Sequence, residues 1–307
     1  MLIFPYGTRK ECVMRVFVNR NPSLFIRVLF TITGGLLLAT LTPNALGQET
    51  EPESPKLHGS LEMLHPDLLE QILDETPVAF VPLGTFEHHG WHLPIGFDGI
   101  KARALCERTA AKTGGVVLPT FFYGTGGGHI GYRWTFIHDE EEVATIVEAT
   151  IDRLADHGFK TIVVLTGHYA REQVAMVRRL AEEANERHPG VTFIGLSEPQ
   201  VTTPDGDDRF GGDHAAKYET SIAMALNPEW AQLDRLTPGR DPERTTLPDT
   251  PRREGPAFDP NDPLYAVYGQ DPRTEASQEL GERIVNEIVD RLAEQVNESL
   301  SIATPEE

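Results

Sequence analysis

The sequence predicts an α/β protein with one domain, built on a mainly parallel sheet with helices on both faces. The main observation is that short apolar runs, typical of buried strands, alternate with longer segments whose apolar residues recur at helical spacing. A second observation is length, because 307 residues are enough for one large domain with a full core. The sequence shows no internal repeat.

The start of the chain predicts a signal peptide over residues 1–47. Basic residues up to Arg27 precede the apolar run 28–42, which is short for a membrane span, and small residues up to Gly47 follow it. We therefore expect an exported protein, periplasmic or extracellular, with a retained N-terminal anchor as the alternative. Residues 48–58 are polar and contain proline, so they are expected to form a flexible leader.

A folded domain is predicted over residues 59–300, and its first four elements follow from local patterns. The apolar run 77–84 ends at a glycine and predicts a buried strand. Residues 99–115 have a helical period and stop at glycines. Residues 116–124 predict a strand, and residues 139–159 predict a helix that opens with acidic side chains, as the helix dipole favours.

The later elements continue the alternation. The apolar run 160–167 predicts a strand, 170–190 an amphipathic helix and 191–197 a further strand. Residues 236–275 are rich in Pro, Asp and Arg with little periodicity, so they are expected to form a long surface excursion. A helix over 277–300 closes the domain, and residues 301–307 are expected to be a disordered tail.

Charge and cysteine content exclude several functions. The chain has 27 basic and 47 acidic residues, a net charge of −20 at pH 7, so we expect no nucleic-acid partner and no stable membrane association after signal cleavage. Of two cysteines, Cys12 lies in the predicted signal peptide, so the remaining one cannot form an internal disulfide. That residue, Cys106, is at helical spacing from Ala102, which predicts a buried structural thiol rather than a nucleophile.

One short segment collects several side chains that can bind a metal. It reads "PLGTFEHHGWHLPIGFD" (82–98) and follows an apolar run. Glu87 and His89 are two positions apart, so they project to the same side of an extended backbone. Asp98, at the start of the next helix, is an acidic group that can bridge two ions.

Two further segments add possible ligands. His168 follows an apolar strand in "TGHYARE" (166–172), and "GGDHAAKYETS" (211–221) contains His214 and Glu219. Because active sites of parallel α/β folds form at the carboxyl ends of strands, we expect all three segments to meet there. Each histidine alone could be a loop residue, but the clusters together predict a metal site.

Two other chemistries are disfavoured by the sequence. A nucleophilic serine lacks support, because no G-x-S-x-G occurs. The glycine-rich "GTGGGHIG" (124–131) lacks the Lys and Ser/Thr of a phosphate-binding loop. A turn that lines the substrate site is the better interpretation of this segment.

The three metal-capable segments together resemble the creatininase family, the creatinine amidohydrolases and their relatives. The first is similar to the family's Glu-x-His-Gly-x-His-Leu-Pro motif with its following Asp. The second resembles the family's Asn-Gly-His segment and the third its His-Ala-Gly-x-x-Glu-Thr-Ser segment. "VYGQDPRTEASQELGERIV" (267–285) is similar to its late Gly-Asp-Pro stretch. The resemblance covers residues 60–295 in matching order, and the first motif is the specific one.

The resemblance implies a creatininase-type fold and a hydrolase that acts on a C–N bond of an amide or cyclic amide. It implies two divalent ions, most readily zinc, with manganese or iron as alternatives. Glu87 and His168 would hold one ion and His89 the other, with Asp98 as the bridge. A hydroxide bridging the ions would attack the carbonyl carbon, and His214 would carry the proton to the leaving nitrogen. The family also implies a homo-oligomer, for example a hexamer.

The sequence departs from the creatininase pattern at several positions. Ala170 stands where creatininase has a Glu, so the second ion would be weaker or would use Glu219 as a ligand. Phe210 replaces a tryptophan and Thr166 replaces the Asn of Asn-Gly-His. Phe210 and Tyr169 are the candidate substrate-binding residues, and the altered aromatic wall leaves the substrate open.

Three functions therefore remain open from the sequence. The first is an exported, metal-dependent amidohydrolase that acts on a small-molecule amide. The second is a binding or scaffold protein that keeps the fold but has lost catalysis, as Ala170 would allow. The third is a family hydrolase that cleaves a peptide or formamide bond. Retention of the matched ligands and of His214 favours the two enzymes.

Overall fold

A five-stranded parallel sheet lies at the centre of the computed structural model, which describes residues 56–129, 131–202, 213–239 and 253–303. The strands of these residues are β1 (His58–Ser60), β2 (Val78–Leu83), β3 (Gly115–Val117), β4 (Gly124–Thr125), β5 (Ile137–His138), β6 (Thr161–Thr166) and β7 (Thr192–Ser197). The main sheet has the order β1-β3-β2-β6-β7, and β4 pairs with β5 in a separate parallel ladder.

Helices alternate with these strands along the chain. They are α1 (Pro66–Glu75), α2 (Phe97–Thr113), α3 (Glu140–Asp156), α4 (Arg171–Arg187), α5 (Glu198–Thr202), α6 (Lys217–Leu226), α7 (Pro272–Glu275) and α8 (Gln278–Ala303). The α/β class with a mainly parallel sheet, predicted from the alternation of patterns, is confirmed.

The sheet has a hydrophobic core on each face, because successive side chains of a strand point in opposite directions. In β2, Ala79 and Val81 pack into one core with α3 and α4, whereas Val78 and Phe80 pack into the other with α2, α6 and α8. All four side chains are fully buried. A strand covered on both faces reads as a continuous apolar run, which is the pattern that the sequence shows for β2 and β6.

The first turn of α2 lies directly against the ends of β2 and β6. Gly84 and Gly167 follow these two strands, and the amide of Gly167 donates to the carbonyl of Leu83 at 2.9 Å. A Cβ at Gly84 would overlap the backbone of Gly99, and a Cβ at Gly167 would overlap the carbonyl oxygen of Asp98. Only glycine allows backbones to approach this closely, so the two glycines fix where α2 begins.

The last helix, α8, packs against α2 and α6 on one side of the sheet. Its Val285, Ile288 and Leu292 are fully buried in the core that they share with those helices. Gly281 allows close contact, because a Cβ there would overlap the carbonyl oxygen of Ser221 on α6. The helix predicted at the end of the chain is therefore an integral part of the core.

The structure corrects several expectations of the sequence analysis. The expected strand 116–124 is only the short β3, since Pro119 has no N–H to extend a ladder. The expected surface excursion 236–275 is partly internal, because Tyr265 is fully buried. Helix α8 continues to Ala303, inside the expected tail. The sequence analysis did not predict β1, α1 and α6, because their patterns are short or polar.

Some predictions fall outside the described residues. These are the signal peptide over 1–47, most of the leader, and the substrate-binding role of Phe210. β1 begins at His58, the last position of the expected leader. In the described ranges, no helix combines the length and the apolar character needed to cross a bilayer.

Candidate metal centre

The described residues hold three groups of possible ligands at the carboxyl end of the sheet, and two of these groups share one carboxylate. The Glu87 group consists of Glu87, Asp98 and His168, the Glu219 group of His89, Asp98 and Glu219, and the third group of Glu87, His89 and His214. In each group the ligand atoms lie within 4.8 Å of one another. All of these side chains are buried, so the structure brings together every residue for which the sequence analysis expected metal binding.

The distances show how the groups are arranged around Asp98. Its Oδ2 lies 3.3 Å from Nδ1 of His168, which is also 3.0 Å from Oε2 of Glu87. Its Oδ1 lies 3.0 Å from Nε2 of His89, which is 3.5 Å from Oε2 of Glu219. The two oxygens of one carboxylate therefore face two different groups, as a bridging ligand requires.

Hydrogen bonds to main-chain carbonyls turn the candidate histidines toward the centre. Nδ1 of His89 is 3.1 Å from the carbonyl oxygen of Glu87, and Nε2 of His168 is 3.5 Å from that of Gly126. A carbonyl oxygen only accepts, so each of these nitrogens is the donor and the other nitrogen faces the carboxylates. Histidines that bind metals are commonly oriented in this way.

The loop after β6 is built around Thr166, which stands at the position of the family's Asn. Its Oγ1 accepts from the amide of His168 at 3.2 Å and from Nε2 of Gln173 at 2.7 Å. A hydroxyl that bonds the backbone two residues on closes a tight turn. The threonine thus supports the position of the histidine without contacting the ligand atoms.

Two observations fit a cation at this centre. Nε2 of His89 and Oδ2 of Asp98 are buried, and among the described residues each lacks a hydrogen bond of good geometry, although carboxylates and imidazoles surround them. Burial opposes a charge on His89, but Asp98 and Glu219 outweigh it and raise its pKa to about 9. The site thus favours positive charge, and its N and O donors suit a divalent ion such as zinc.

His214 stacks on the edge of this centre. Its ring centroid is 4.3 Å from that of His89, and its backbone pairs with that of Tyr268 in both directions at 2.8 Å. Nε2 is 2.9 Å from the carbonyl oxygen of His88 and must donate, so in the neutral ring Nδ1 carries the lone pair. Burial, followed by the neighbouring His129 and His89, holds the pKa of His214 well below its usual value.

The sequence analysis missed His129. This residue lies in the glycine-rich turn after β4, its Nδ1 contacts Oε1 of Glu87, and its ring stacks on His214 with centroids 4.0 Å apart. Burial would raise the pKa of Glu87, but His168 and His214, together with the hydrogen bond to His129, lower it well below its usual range. The turn was expected to line the site, but its histidine had no partner nearby in the sequence.

The start of α6 holds Glu219 in place. Asp213 accepts from the amides of Tyr218 and Glu219 at 3.0 and 3.1 Å and so caps the helix. Oε2 of Glu219 accepts from the amide of Ala215 at 2.7 Å. Ala215 has a φ of 54°, a strained value for alanine, which directs its N–H to the carboxylate. This segment was expected at a strand end, but it lies at a helix start.

A buried lysine, which the sequence analysis also missed, lies behind Glu219. Nζ of Lys101 donates to Oε1 of Glu219 at 2.6 Å and lies 3.0 Å from Oε1 of Glu198. Burial would lower the pKa of this lysine, but the two carboxylates raise it well above its usual value. Lys101 is three residues after Asp98 on α2, so both side chains lie on the same face of that helix.

Tyr169, which the sequence analysis named as a candidate substrate-binding residue, and His92 lie beside the centre. The hydroxyl of Tyr169 accepts from Lys101 at 2.8 Å and donates to Glu198 at 3.1 Å, so it lies in the same network. Nε2 of His92 is 2.9 Å from Oγ1 of Thr220, and burial lowers its pKa to about 3. His92 therefore supports α6 and is not in either ligand group.

The comparison with known families agrees with this arrangement. A family model described as "Creatininase: Creatinine amidohydrolase" matches residues 62–296. The chain belongs to the creatininase family. Members of this family are hydrolases, and the candidate ligand groups of the chain lie within the matched residues.

Relatives within the creatininase family carry more than one activity. The chain is 28% identical over 243 residues to a creatinine amidohydrolase of Pseudomonas putida, covering 72% of this chain and 89% of that protein. It is 30% identical over 232 residues to a mycofactocin precursor peptide peptidase of Mycobacterium ulcerans, covering 72% and 84%. A solved creatininase mutant of the Zn-Zn type is 25% identical, with a TM-score of 0.60 and coverage of 80% and 98%.

Proposed function

We propose that this creatininase-family hydrolase is an exported, metal-dependent amidohydrolase that uses two divalent ions, most readily zinc, to hydrolyse a C–N bond of a small-molecule amide or cyclic amide. The ions would be held by the Glu87 group and the Glu219 group. The observation that supports this most directly is that Asp98 directs one carboxylate oxygen at each group. The zinc-containing relative supports the choice of metal.

Bound ions would act as Lewis acids and would lower the pKa of a bound water molecule. The other steps belong to residues of the chain. Nδ1 of His214 carries a lone pair and faces the centre, 4.0 Å from Oε2 of Glu219. It can accept a proton from the attacking water and donate it to the leaving nitrogen. His129 holds Glu87 in position.

The second candidate function is cleavage of a peptide bond. It is favoured by the peptide peptidase of Mycobacterium ulcerans, which matches over as much of this chain as the creatinine amidohydrolase does. Both reactions hydrolyse a C–N bond, so the same centre can perform either. The two reactions differ in the size of the substrate that the centre must admit.

Export and assembly remain proposals that rest on other features. The apolar run 28–42 between arginines and small residues supports a cleaved signal peptide. Intact-mass analysis of protein from the native host should give a chain that begins near Gln48, and a mature chain that retains residues 15–40 would contradict export by cleavage. A homo-oligomer is expected from the family, and light scattering of purified protein would test it.

The proposed function is tested by metal analysis combined with a hydrolysis screen. Purified protein should contain two equivalents of a divalent metal. A chelator should abolish hydrolysis and lower the melting temperature, because bound metal stabilises only the folded state, and zinc should restore both. The screen compares creatinine, other cyclic amides, formamides and short peptides. Metal-free protein that takes up no metal would exclude the proposal, and metal binding without any hydrolysis would favour the scaffold function.

A further inference from the structure

A lysine without any exposure to solvent lies behind one half of the metal centre. Lys101 has a relative exposure of 0%, and a buried ammonium is costly unless all its protons are bonded. It donates hydrogen bonds to Oε1 of Glu219 at 2.6 Å and to the hydroxyl of Tyr169 at 2.8 Å, and it forms an ion pair with Oε1 of Glu198 at 3.0 Å. Two hydrogen bonds and two carboxylates thus hold the ammonium in place.

This arrangement fixes both oxygens of Glu219. Oε1 accepts from Lys101, whereas Oε2 accepts from the amide of Ala215 and lies 3.5 Å from Nε2 of His89. A carboxylate held at one oxygen by a buried ammonium cannot rotate without leaving a charge unpaired. Its second oxygen is therefore aimed at the centre before any ion binds.

The lysine contacts one ligand group only. Glu87 is held by Nδ1 of His129 and Nδ1 of His168, and Lys101 is not among its partners. Ala170 offers no carboxylate, so the Glu219 group depends on Glu219 and on the carboxylate that it shares with the other group. A change at Lys101 should therefore affect the two groups unequally.

We propose that Lys101 is a positioning residue of the metal centre, which holds Glu219 ready to bind one ion and has little influence on the ion of the Glu87 group. This inference rests on the proposed two-metal function and assigns a role to a side chain that does not itself bind metal. Residues behind the ligands commonly change metal affinity by roughly 10- to 100-fold. A lysine that only stabilised the fold would affect both ions or neither.

The test is a cobalt(II) titration of metal-free protein, followed by visible absorption and by mass spectrometry of the intact complex. Lys101→Met keeps the apolar stem and removes the ammonium. The first equivalent of cobalt should bind as tightly as in the wild type, and the second roughly 10- to 100-fold more weakly. Lys112→Met, at an exposed position of the same helix, is the matched control and should bind both equivalents normally.

A second variant distinguishes a change in metal affinity from a loss of folding. Lys101→Met leaves Glu198 and Glu219 buried without their cation, whereas Lys101→Met combined with Glu198→Gln removes one negative charge with the positive one. The double variant should show the same selective loss of the second equivalent. Unchanged affinity for both equivalents in either variant, or an equal loss of both, would overturn the inference. Wild-type protein that binds fewer than two equivalents would instead refute the proposed two-metal function.

Discussion

The Glu87 group and the Glu219 group share Asp98 but are built from different parts of the fold. Glu87 and His168 come from loops that directly follow β2 and β6, adjacent strands of the sheet. Glu219 instead comes from the first turn of α6 and depends on a helix cap and a buried lysine. One half of the centre thus follows from the sheet, whereas the other is assembled by long-range contacts.

This difference shows where each half is vulnerable. Apart from the side chain of His129, the Glu87 group is held by backbone geometry at the strand ends, which most other side-chain substitutions should disturb little. The Glu219 group is held by side chains from α2 and α5, so substitutions outside the ligand set should weaken its binding of metal. The predictions below test this contrast.

The largest effect is expected at the residue that the two groups share. Asp98→Asn should weaken the binding of both ions and abolish measurable turnover, because it removes the negative charge that both groups share and leaves one group facing an amide nitrogen, which cannot act as a ligand. Asp67→Asn is the matched control, since it also is the second residue of a helix but is exposed. Metal content and hydrolysis are measured for both variants. Retention of both full equivalents with unchanged affinity by Asp98→Asn would show that the carboxylate is not a bridge.

The next largest effect is expected at His214, which lies between the halves. His214→Ala should keep the fold and the metal, but its rate constant should fall by roughly 100- to 10,000-fold, the usual contribution of a positioned acid–base group. His65 is exposed and its side chain makes no capping hydrogen bond, so His65→Ala should keep the metal content and rate constant of the wild type. Loss of metal from His214→Ala would make this residue a ligand, as its grouping with Glu87 and His89 would then require.

An intermediate effect is expected when one carboxylate of either half is neutralised. Glu87→Gln and Glu219→Gln keep the shape of the side chain and remove its charge, so each should retain one ion and lose the other. Cobalt spectra of the two variants should differ, because different sites remain filled. Identical spectra, or complete loss of metal in both, would mean that the halves do not bind independently.

A smaller effect is expected from Gly167→Ala, which tests the backbone contact on which the Glu87 group depends. The added Cβ would overlap the carbonyl of Asp98 and should lower the free energy of unfolding by about 1–3 kcal/mol. Metal affinity should fall as well, since α2 would shift. Gly128→Ala, at an open position of ordinary backbone, is the control for urea unfolding and metal titration. Equal stability of the two variants would contradict the contact.

The smallest effect concerns Cys106, which faces the core on α2 and is fully buried. Burial raises the pKa of its thiol, so the reactive thiolate is scarce. In protein that begins at Gln48, a thiol reagent should modify no cysteine in the folded state and one cysteine after unfolding in urea. Rapid modification of the folded protein would show that this face of α2 opens.

The half of the centre built on strand ends could be predicted from the sequence for a physical reason. A buried strand followed by glycine leaves a local pattern, and adjacent parallel strands end at the same edge of a sheet. Glu87 and His168 could therefore be placed together without knowledge of the packing. Asp98 could be placed with them because its helix begins directly after the segment that contains Glu87.

The other half left no comparable pattern. Lys101 and Glu219 are separated by 118 residues, and a lysine on a helix ordinarily indicates a solvated face. One contact of the Glu87 group was hidden in the same way, because His129 is 42 residues from its partner Glu87. Short α6 has too few apolar positions for a clear period, so its start was expected to be a loop. The contacts that fix this half exist only in the folded chain.

The order in which the ribosome releases the chain gives α8 a particular importance. Helices α2 and α6 carry Asp98 and Glu219, and both bury apolar side chains against α8, which is synthesised after them. Until residues 278–303 emerge, that apolar surface has no cover, so the nascent chain should stay incompletely folded up to that point. A chain that is translocated before it folds would meet its metal only after leaving the cell compartment in which it was made.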